Sequence, residues 1–272
     1  MNCYGLIGKK LGHSISPSIH EEIFKLFNIS GEYKLYELAP EKLYDEINEF
    51  KIKGIKGFNV TIPYKFDIMP LLDHISEEAA AIGAVNTVNF KDNKLYGYNT
   101  DYYGIKLTFE KHNIDLKGKP AVILGNGGAA AAVVQYLIDA GCSSITFVVR
   151  NIEKAKSNNK FSQFSMVTYD QLPLIKDKYV LINCTPCGMF PKADDCAVSK
   201  DFVNGFSFAF DLIYNPKQTL FLQYASKLGI KHSNGLYMLV GQAVAAESIW
   251  NGINFDLATV DDIYKIIDEK VI

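Results

Sequence analysis

The chain has 272 residues, of which 48% are hydrophobic and 21% are charged, and its net charge is −2. This length and apolar content are sufficient for two globular domains, each with a core of its own. The near-neutral charge gives no electrostatic reason to expect a nucleic-acid partner. Because no apolar run reaches about 18 residues and no basic leader precedes one, we predict neither export nor a membrane-spanning segment.

The five cysteines are odd in number and irregularly spaced. This usage is typical of a protein kept in a reducing cytosol rather than of a disulfide framework, so we expect a cytoplasmic location. Cys184 and Cys187 have the two-residue gap of a zinc or redox pair, but no second pair or histidine cluster completes a site. We therefore predict no metal centre.

The N-terminal part of the sequence alternates between strand-type and helix-type patterns. Strands are predicted at residues 2–8, 33–38 and 57–61, and helices at residues 18–27 and 40–50. This order predicts a small α/β layer. The third strand places Asn59 and Thr61 on one face, with Lys65 just beyond its end.

The next segments are predicted to be a short helix, a hairpin and a longer helix. The helix at residues 76–82 has Ser76 as its N-cap, and the hairpin turns at Asp92 and Asn93. Thr100 is placed to cap the longer helix. Asp101 would then lie in the first turn, where the helix dipole favours a negative charge.

Within residues 121–141 the apolar pattern changes from that of a short strand to that of a helix. Gly125, Gly127 and Gly128 lie between the strand and the helix, and Gly141 follows the end of the helix. Such a turn lets the backbone approach a ligand closely, while the free N–H groups at the helix start face an anion such as a pyrophosphate. A glycine-rich corner can also be purely structural, so the prediction depends on the segment that comes after the helix.

A second strand, predicted at residues 144–149, lies at the distance of a βαβ unit and ends in Arg150. Arg150 is the only arginine among the 28 basic residues of the chain. In a dinucleotide-binding fold this position meets the adenosine ribose, where an acid suits NAD and an arginine suits the 2′-phosphate of NADP. Residues 149–151 include no acid. We therefore predict NADP.

The remaining segments continue a doubly wound sheet. Further strands are predicted at residues 179–184, 206–211 and 230–233, and further helices at residues 218–228, 236–250 and 261–270. We predict two α/β domains. The first is formed by residues 1–100 and completed by C-terminal helices in 236–272, and the second is a Rossmann-like domain at residues 101–235.

Polar and glycine-rich blocks occur in order along nearly the whole chain. They are HSISP at 13–17, NVTIPYK at 59–65, IGAVNT at 82–87, GYNTD at 97–101, GNGGAA at 125–130, INCTPCGM at 182–189, DLIYNP at 211–216 and NGLYMLVGQ at 234–242. Together these blocks resemble those of the shikimate dehydrogenase family. The resemblance implies NADPH-dependent reduction of 3-dehydroshikimate to shikimate, in aromatic amino-acid biosynthesis. It also implies a substrate-binding first domain and an NADP-binding second domain.

The resemblance assigns roles to individual side chains. Lys65 and Asp101 would carry proton transfer and also contact the substrate. The other substrate-binding residues would be Ser14, Ser16, Asn59, Thr61, Asn86, Tyr214 and Gln242. The cofactor-binding residues would be Glu77, Gly125, Asn126, Gly127, Gly128, Ala129, Arg150, Asn151, Lys154, Thr185, Ile213, Gly235 and Met238. The implied partner is a small-molecule substrate, and a homodimer is left open.

The sequence departs from the family pattern in its cofactor half. Residues 149–151 read Val-Arg-Asn where the family usually has Asn-Arg-Thr, and Asn126 and Ala131 replace the common alanine and arginine of the glycine turn. These changes bear on the strength of cofactor binding rather than on the type of reaction.

Three alternatives share part of the pattern. The first is a quinate/shikimate dehydrogenase with mixed NAD and NADP use, against which Ser16 and Arg150 argue. The second is a catalytically silent dinucleotide-binding regulator, which would not need Lys65 and Asp101. The third is a methylenetetrahydrofolate dehydrogenase, which would not explain the Ser14 to Ser16 loop.

Overall fold

The computed structural model describes residues 1–157 and 160–270. The chain divides into two compact units, which we call the first unit (Met1–Gly104 with Leu239–Ile272) and the second unit (Ile105–Met238). In the described part of the chain, no helix combines the length and the apolar character needed to cross a membrane.

The elements that begin in the first unit alternate between strands and helices. In chain order they are β1 (Asn2–Gly8), α1 (Ser16–Leu26), β2 (Gly31–Glu37), α2 (Leu43–Lys53), β3 (Gly57–Val60), β4 (His74–Ile75), α3 (Glu77–Ile82), β5 (Thr87–Lys91), β6 (Lys94–Tyr98) and α4 (Thr100–Lys111). Short 3₁₀ turns occupy Pro40–Lys42 and Met69–Leu71.

The six strands of the first unit form one mixed sheet in the order β2-β1-β3-β5-β6-β4. The pairs β1–β2 and β1–β3 are parallel, whereas β3–β5 and β5–β6 are antiparallel. Asp92 and Asn93 have φ angles of 50° and 61°, and these left-handed residues form the predicted two-residue turn between β5 and β6. The parallel pairing brings the ends of β1 and β3 to one edge of the sheet.

Alternate side chains of this sheet pack on opposite faces. Ile7 and Phe58 belong to a core cluster that includes Phe50 of α2. Tyr4, which precedes Ile7 by an odd number of positions, packs on the other face with Phe24 of α1. The sheet of the first unit is therefore covered by helices on both faces.

The remaining elements follow α4, most of them in the second unit, with a further 3₁₀ turn at Tyr169–Leu174. They are β7 (Pro120–Leu124), α5 (Ala130–Asp139), β8 (Ser144–Val149), α6 (Ile152–Ser157), β9 (Ser165–Thr168), β10 (Val180–Asn183), α7 (Lys200–Val203), β11 (Phe208–Asp211), α8 (Leu220–Lys227), β12 (Lys231–Ser233), α9 (Gly235–Asn251) and α10 (Leu257–Lys270). Of these, α9 continues into the first unit from Leu239, and α10 lies wholly in the first unit. Trp250 of α9 stacks on Tyr4 of β1 at 5.0 Å between ring centroids, so the C-terminal helices return to the first unit as predicted.

The sheet of the second unit has the strand order β12-β11-β10-β7-β8-β9, and each described pair is parallel. This is the doubly wound order, in which strands are added outward on one side from β7 to β9 and on the other side from β10 to β12, so the strand order reverses between β7 and β10. The crevice outside the carboxyl ends of those two strands is the expected ligand position in such sheets. The predicted Rossmann-like fold is confirmed.

Several local predictions need correction. Ser76 precedes α3, but its side chain makes no cap and donates instead to Glu78 Oε1 at 2.6 Å. The helix predicted from residue 40 begins as a 3₁₀ turn and becomes α-helical only at Leu43. The sequence pattern missed the short elements β4, β9, α6 and α7, because elements of two to six residues are too short to show a period.

Candidate active site

Lys65 is held beside the end of the first-unit sheet by backbone hydrogen bonds. The N–H of Thr61 donates to the carbonyl of Ile7 at 2.9 Å, which fixes the chain as it leaves β3. The N–H of Val85 donates to the carbonyl of Lys65 at 2.8 Å. The segment that carries the lysine is therefore tied both to β1 and to the segment that leads into β5.

Asp101 lies in the first turn of α4, as predicted. Its Oδ2 accepts a hydrogen bond from Lys65 Nζ at 2.5 Å. The lysine side chain is 28% exposed and the aspartate side chain 21% exposed. The pair is thus shielded enough for a defined geometry and open enough for a ligand to reach it.

The start of α4 is fixed by Asn86. Its Oδ1 accepts hydrogen bonds from the Thr100 N–H at 2.7 Å and from the Thr87 hydroxyl at 3.0 Å. The prediction that Thr100 caps α4 is wrong, because Thr100 is the first residue of the helix and the oxygen that accepts its N–H comes from Asn86. A side chain remote in sequence therefore places Asp101, the next residue.

The side-chain amide of Asn59 makes most of its possible hydrogen bonds within the protein. It is 5% exposed, and its Nδ2 donates to Thr87 Oγ1 at 2.9 Å and to the carbonyl of Asn86 at 3.3 Å. Its Oδ1 accepts from the hydroxyl of Tyr33 at 2.7 Å. Both amide hydrogens are engaged, so only the second lone pair of Oδ1 remains for the predicted substrate contact.

Gln242 joins the same polar network from α9. Its Oε1 accepts from the Thr100 hydroxyl at 3.4 Å, and its Nε2 donates to the carbonyl of Leu239 at 3.0 Å. The structure therefore brings together Asn59, Asn86 and Gln242, which the sequence placed in one substrate site. Thr87 and Thr100 connect them.

The two serines of the N-terminal loop contact each other. The hydroxyl of Ser14 donates to Ser16 Oγ at 3.1 Å, and the N–H of Ser14 donates to the carbonyl of Leu11 at 2.8 Å. Within the described residues, the partly exposed Thr61 side chain makes no hydrogen bond. Ser16 is buried at 9% exposure, whereas Ser14 is partly exposed. The predicted role of the three hydroxyls as substrate donors stays a prediction.

Tyr214 was predicted to bind the substrate and Glu77 to bind the cofactor, but each lies in a different unit from most of the residues predicted for the same ligand. Tyr214 follows β11 in the second unit, and burial raises the pKa of its phenol, so the hydroxyl stays a neutral donor. Glu77 is exposed in the first turn of α3 in the first unit. The substrate role of Tyr214 and the cofactor role of Glu77 both stay predictions.

The glycine turn of the second unit follows β7 at the strand-order reversal. Gly125 has a φ of +84°, and a Cβ there would lie 2.6 Å from Thr185 Cγ2, so the turn requires glycine. A Cβ on Gly127 or Gly128 would meet nothing within 4 Å. The space beside these two residues is therefore open, as a ligand that approaches the backbone needs. Ala129 precedes α5 as its N-cap residue.

A cavity of about 720 Å³ opens at this turn. Its lining includes Gly125, Asn126, Gly127, Arg150 and Thr185 of the predicted cofactor residues. A neighbouring cavity of about 660 Å³ is lined by Asn126, Gly127, Arg150, Asn151 and Lys154. The two cavities share the glycine turn and Arg150, which is the geometry a dinucleotide with an additional phosphate requires.

Arg150 is exposed and, within the described residues, makes no ion pair. Asn151 Oδ1 accepts the N–H of Lys154 at 2.8 Å and so caps α6. This cap holds Lys154 on the same cavity wall as Arg150. Two cations thus face one cavity, and the guanidinium of Arg150 remains free for a phosphate.

The ends of β10 and β11 are joined by a buried network around Asp211. Its carboxylate accepts from Asn183 Nδ2 at 3.0 Å, from the Ile213 N–H at 3.1 Å and from the Thr219 hydroxyl at 2.6 Å. Asn183 Oδ1 in turn accepts from the Thr185 hydroxyl at 2.7 Å. The network therefore places Thr185 and Ile213, both of which were predicted to contact the cofactor.

Burial raises the pKa of Asp211 to about 6, against the opposing effect of its hydrogen bonds. In the unfolded chain the carboxyl has its ordinary pKa of about 3.9. The folded state therefore binds the proton more tightly, and its stability falls as the pH rises from about 4 to about 6. Above that range the ionised carboxylate lowers the free energy of unfolding by on the order of 3 kcal/mol.

We expect Asp211→Asn to remove this pH dependence while keeping the geometry. The amide oxygen can accept from Asn183 Nδ2 and the Ile213 N–H, and the amide nitrogen can donate to the Thr219 hydroxyl, which turns round to accept. The free energy of unfolding of the variant minus that of the wild type should increase between about pH 4 and about pH 6.5. Urea unfolding followed by circular dichroism measures it. Asp201→Asn, at an exposed carboxyl in the first turn of α7, is the control and should give a constant difference.

Gly235 lies where the end of β11 meets the start of α9. Its N–H donates to the carbonyl of Ile213 at 3.0 Å, so the structure brings together two residues predicted to border the nicotinamide. A Cβ at this position would lie 2.1 Å from the carbonyl oxygen of Leu212. The third predicted member, Met238, is partly exposed one turn further along α9.

We expect Gly235→Ala to lower the free energy of unfolding by about 1–3 kcal/mol, because the added methyl group overlaps a backbone oxygen that cannot move freely. Gly12→Ala is the matched control, since a Cβ there meets nothing within 4 Å. The control should change the free energy of unfolding by less than about 0.5 kcal/mol. Equal stability of the two variants in urea would contradict the close approach.

Several residues that organise the site were not among the predicted site residues, although the sequence had assigned Thr100 a capping role. These residues are Tyr33, Thr87, Thr100, Asn183 and Asp211. Four of them stand inside the quoted blocks, so their position beside assigned residues was a signal. Tyr33 lies outside the blocks, in a strand with no unusual pattern, and nothing in the sequence pointed to it. Further lining residues of the larger cavity, also unassigned, are Tyr169, Cys184, Cys187, Lys192 and Asp195.

Comparison with known families gives two matches. A family model described as the shikimate dehydrogenase substrate binding domain matches residues 6–88. A family model described as shikimate / quinate 5-dehydrogenase matches residues 106–188. Together the matches cover more than half of the chain.

Individual relatives are similar over nearly their whole length. A protein of Clostridium beijerinckii named shikimate dehydrogenase (NADP(+)) is 47% identical over 270 residues, covering 99% of this chain and 99% of the relative. The crystal structure of a chorismate mutase/shikimate 5-dehydrogenase fusion protein from Clostridium acetobutylicum is 48% identical with a TM-score of 0.95, covering 100% of this chain and 98% of that chain. The crystal structure of the Thermus thermophilus shikimate 5-dehydrogenase in complex with NADP(H) and shikimate is 30% identical with a TM-score of 0.86. The match covers 98% of this chain and 99% of that chain.

Proposed function

We propose that this chain, which belongs to the shikimate dehydrogenase family, catalyses the reversible NADPH-dependent reduction of 3-dehydroshikimate to shikimate. The reaction belongs to the shikimate pathway, which supplies aromatic amino-acid biosynthesis. The observation that carries the proposal is the partly exposed pair of Lys65 and Asp101, joined at 2.5 Å beside a buried amide and hydroxyl network.

Lys65 is the proposed proton donor in the reductive direction. Reduction of a ketone leaves a negative charge on the oxygen, and a positioned acid lowers the barrier by neutralising it. The ammonium group has three hydrogens, of which Asp101 Oδ2 accepts one. Asp101 thereby orients the lysine, and the remaining hydrogens can face the substrate oxygen. In the oxidative direction the amine takes the proton back.

The substrate is proposed to bind through hydrogen bonds rather than through a guanidinium. The hydroxyls of Ser14 and Ser16, which contact each other in one loop, would hold the carboxylate, together with Tyr214. Thr61, Asn86 and Gln242 would bind the ring hydroxyls, and Asn59 contributes mainly by fixing Asn86. Selectivity then depends on where the hydrogen-bonding groups lie, so an acid without the ring hydroxyls should be a poor substrate.

The second unit fits an NADP cofactor on two observations. Open space lies beside Gly127 and Gly128, and the unpaired Arg150 faces the two cavities that meet at this turn. Residues 125–129 would hold the pyrophosphate, and Arg150, Asn151 and Lys154 the adenosine 2′-phosphate. When bound, the reduced cofactor supplies the hydride for the carbonyl carbon.

The alternatives considered from the sequence are not favoured. The relative from Clostridium beijerinckii is named for NADP(+), which supports NADP over mixed cofactor use. A catalytically silent regulator would have no need of the ion pair between Lys65 and Asp101. We therefore carry one function forward.

The decisive experiment is a spectrophotometric assay of shikimate oxidation with NADP and with NAD, repeated with quinate. The proposal expects efficient reduction of NADP by shikimate, and much slower turnover with NAD or with quinate. No oxidation of shikimate with either cofactor would refute the proposed activity. Equal rates for quinate would refute the proposed substrate specificity.

Location and assembly belong to the same proposal. All five cysteines, each within the described residues, are free thiols, which supports a reducing cytoplasm. Burial raises the pKa of the thiols of Cys184 and Cys187 in the cavity wall, so both stay protonated. Analytical ultracentrifugation of the purified protein decides whether it is the homodimer that the sequence left open.

A further inference from the structure

A buried histidine and glutamate contact each other in the first unit, and the proposed reaction does not use them. His20 Nδ1 and Glu247 Oε1 are 2.5 Å apart, and both side chains are 0% exposed. Glu247 Oε2 also accepts from Asn251 Nδ2 at 2.7 Å. Two ionisable side chains without access to solvent are costly to bury, so their surroundings indicate what they hold in place.

The imidazole of His20 lies flat on the ring of Tyr33. The ring centroids are 4.0 Å apart and the planes differ by 9°. Tyr33 is 6% exposed and also lies beside Trp250, at 6.5 Å between ring centroids. Burial raises the pKa of the Tyr33 phenol well above its ordinary value. The tyrosine is therefore a fixed ring with a hydroxyl that always carries its proton.

This hydroxyl donates to Asn59 Oδ1 at 2.7 Å. An amide side chain has an oxygen at one end and a nitrogen at the other, so a donor that holds the oxygen also decides where the nitrogen points. The Asn59 nitrogen then faces Thr87 Oγ1 and the carbonyl of Asn86. Tyr33 thus determines the orientation of the amide from which the polar network begins.

The network runs on from Asn59 to the reacting pair. Thr87 Oγ1 donates to Asn86 Oδ1 at 3.0 Å. Asn86 Oδ1 also accepts the Thr100 N–H at 2.7 Å. Thr100 is followed by Asp101, whose Oδ2 is bound to Lys65. Each contact of this path lies within the first unit.

We propose that Tyr33, held by the buried His20 and Glu247 pair, is a positioning residue for the substrate half of the reaction. It acts by orienting the Asn59 amide and through it Asn86 and the start of α4. The proposal rests on the proposed function, since it concerns the same site. It predicts an effect on the kinetics of shikimate and none on the binding of NADP.

The test is the variant Tyr33→Phe, which keeps the stacked ring and removes only the hydroxyl. Tyr36→Phe is its matched control, because Tyr36 lies on the same strand, β2, and its ring packs edge-on to Phe50 at 4.6 Å between ring centroids. Tyr36 is not among the hydrogen-bond partners of Asn59. We expect Tyr33→Phe to lower kcat/KM for shikimate about tenfold, the kinetic equivalent of one hydrogen bond, with KM for NADP unchanged. Tyr36→Phe should retain the kcat/KM of the wild type even where it loses stability.

A second variant tests the path from its other end. Thr87→Val removes the hydroxyl to which Asn59 Nδ2 donates, and it should cause the same selective loss with shikimate. Wild-type kinetics in Tyr33→Phe or in Thr87→Val would overturn the proposal, as would equal losses in Tyr33→Phe and Tyr36→Phe. Absence of turnover in the wild type would instead contradict the proposed function, so the two failures are distinguishable.

Discussion

Replacing Lys65 with methionine is expected to lower kcat for shikimate oxidation by about 10² to 10⁴-fold, the usual contribution of a positioned acid or base. Methionine preserves the length and the apolar stem of lysine but cannot transfer a proton. The Lys65 amine is bound to Asp101 at 2.5 Å, so its loss also leaves that carboxylate without its partner. Steady-state kinetics at saturating shikimate and NADP measure the effect.

The matched control is Lys265→Met on α10. This lysine also pairs with an aspartate, Asp262 at 3.0 Å, but both side chains are more than half exposed. Exposed pairs of this kind contribute little, and the control should keep wild-type kcat. A Lys65→Met variant that binds shikimate and turns it over at a near-normal rate would exclude Lys65 as the proton donor.

Replacing Arg150 with glutamine is expected to lower kcat/KM for NADP by about 10- to 100-fold, because charge-assisted hydrogen bonds to a phosphate contribute about 1.5–3 kcal/mol. The value for NAD, which lacks the 2′-phosphate, should change little. The two cofactors are compared at a fixed, saturating shikimate concentration. We therefore expect the variant to lose its preference for NADP over NAD rather than to lose activity with both cofactors.

Lys156→Gln is the control for this variant. Lys156 is an exposed cation on α6, the helix that carries Lys154, and it is not among the lining residues of either cavity at the glycine turn. It should leave kcat/KM for both cofactors unchanged. Equal losses with NADP and NAD in Arg150→Gln would show that the arginine does not read the 2′-phosphate.

Much of the fold could be predicted because local pattern and tertiary structure agree. The strand at residues 144–149 is the observed β8, and the turn at Asp92 and Asn93 joins β5 to β6 as predicted. The change from strand to helix around Gly125 predicted a Rossmann-like unit, and the strand order of the second unit confirms it. In each case short-range sterics and hydrophobic period determine the conformation.

Other features depend on residues far apart in the chain. Thr100 has the residue type of a helix cap, yet the acceptor for its N–H comes from Asn86, fourteen positions earlier. Asn59 has the residue type of a ligand, yet its amide is occupied by Tyr33, Thr87 and Asn86. No local pattern decides between these uses of a polar side chain, because the competing partner arrives only when the sheet forms.

Local sequence alone is enough to predict the two α/β layers, the glycine turn, the lone arginine at the end of β8 and the polar blocks that resemble one enzyme family. The ion pair of Lys65 with Asp101 and the hydrogen bond from Tyr33 to the Asn59 amide become visible only in the folded chain. This difference arises because strand and helix periods are set by neighbouring residues. The partner of a buried polar group is set by which segments the completed fold brings within hydrogen-bonding distance.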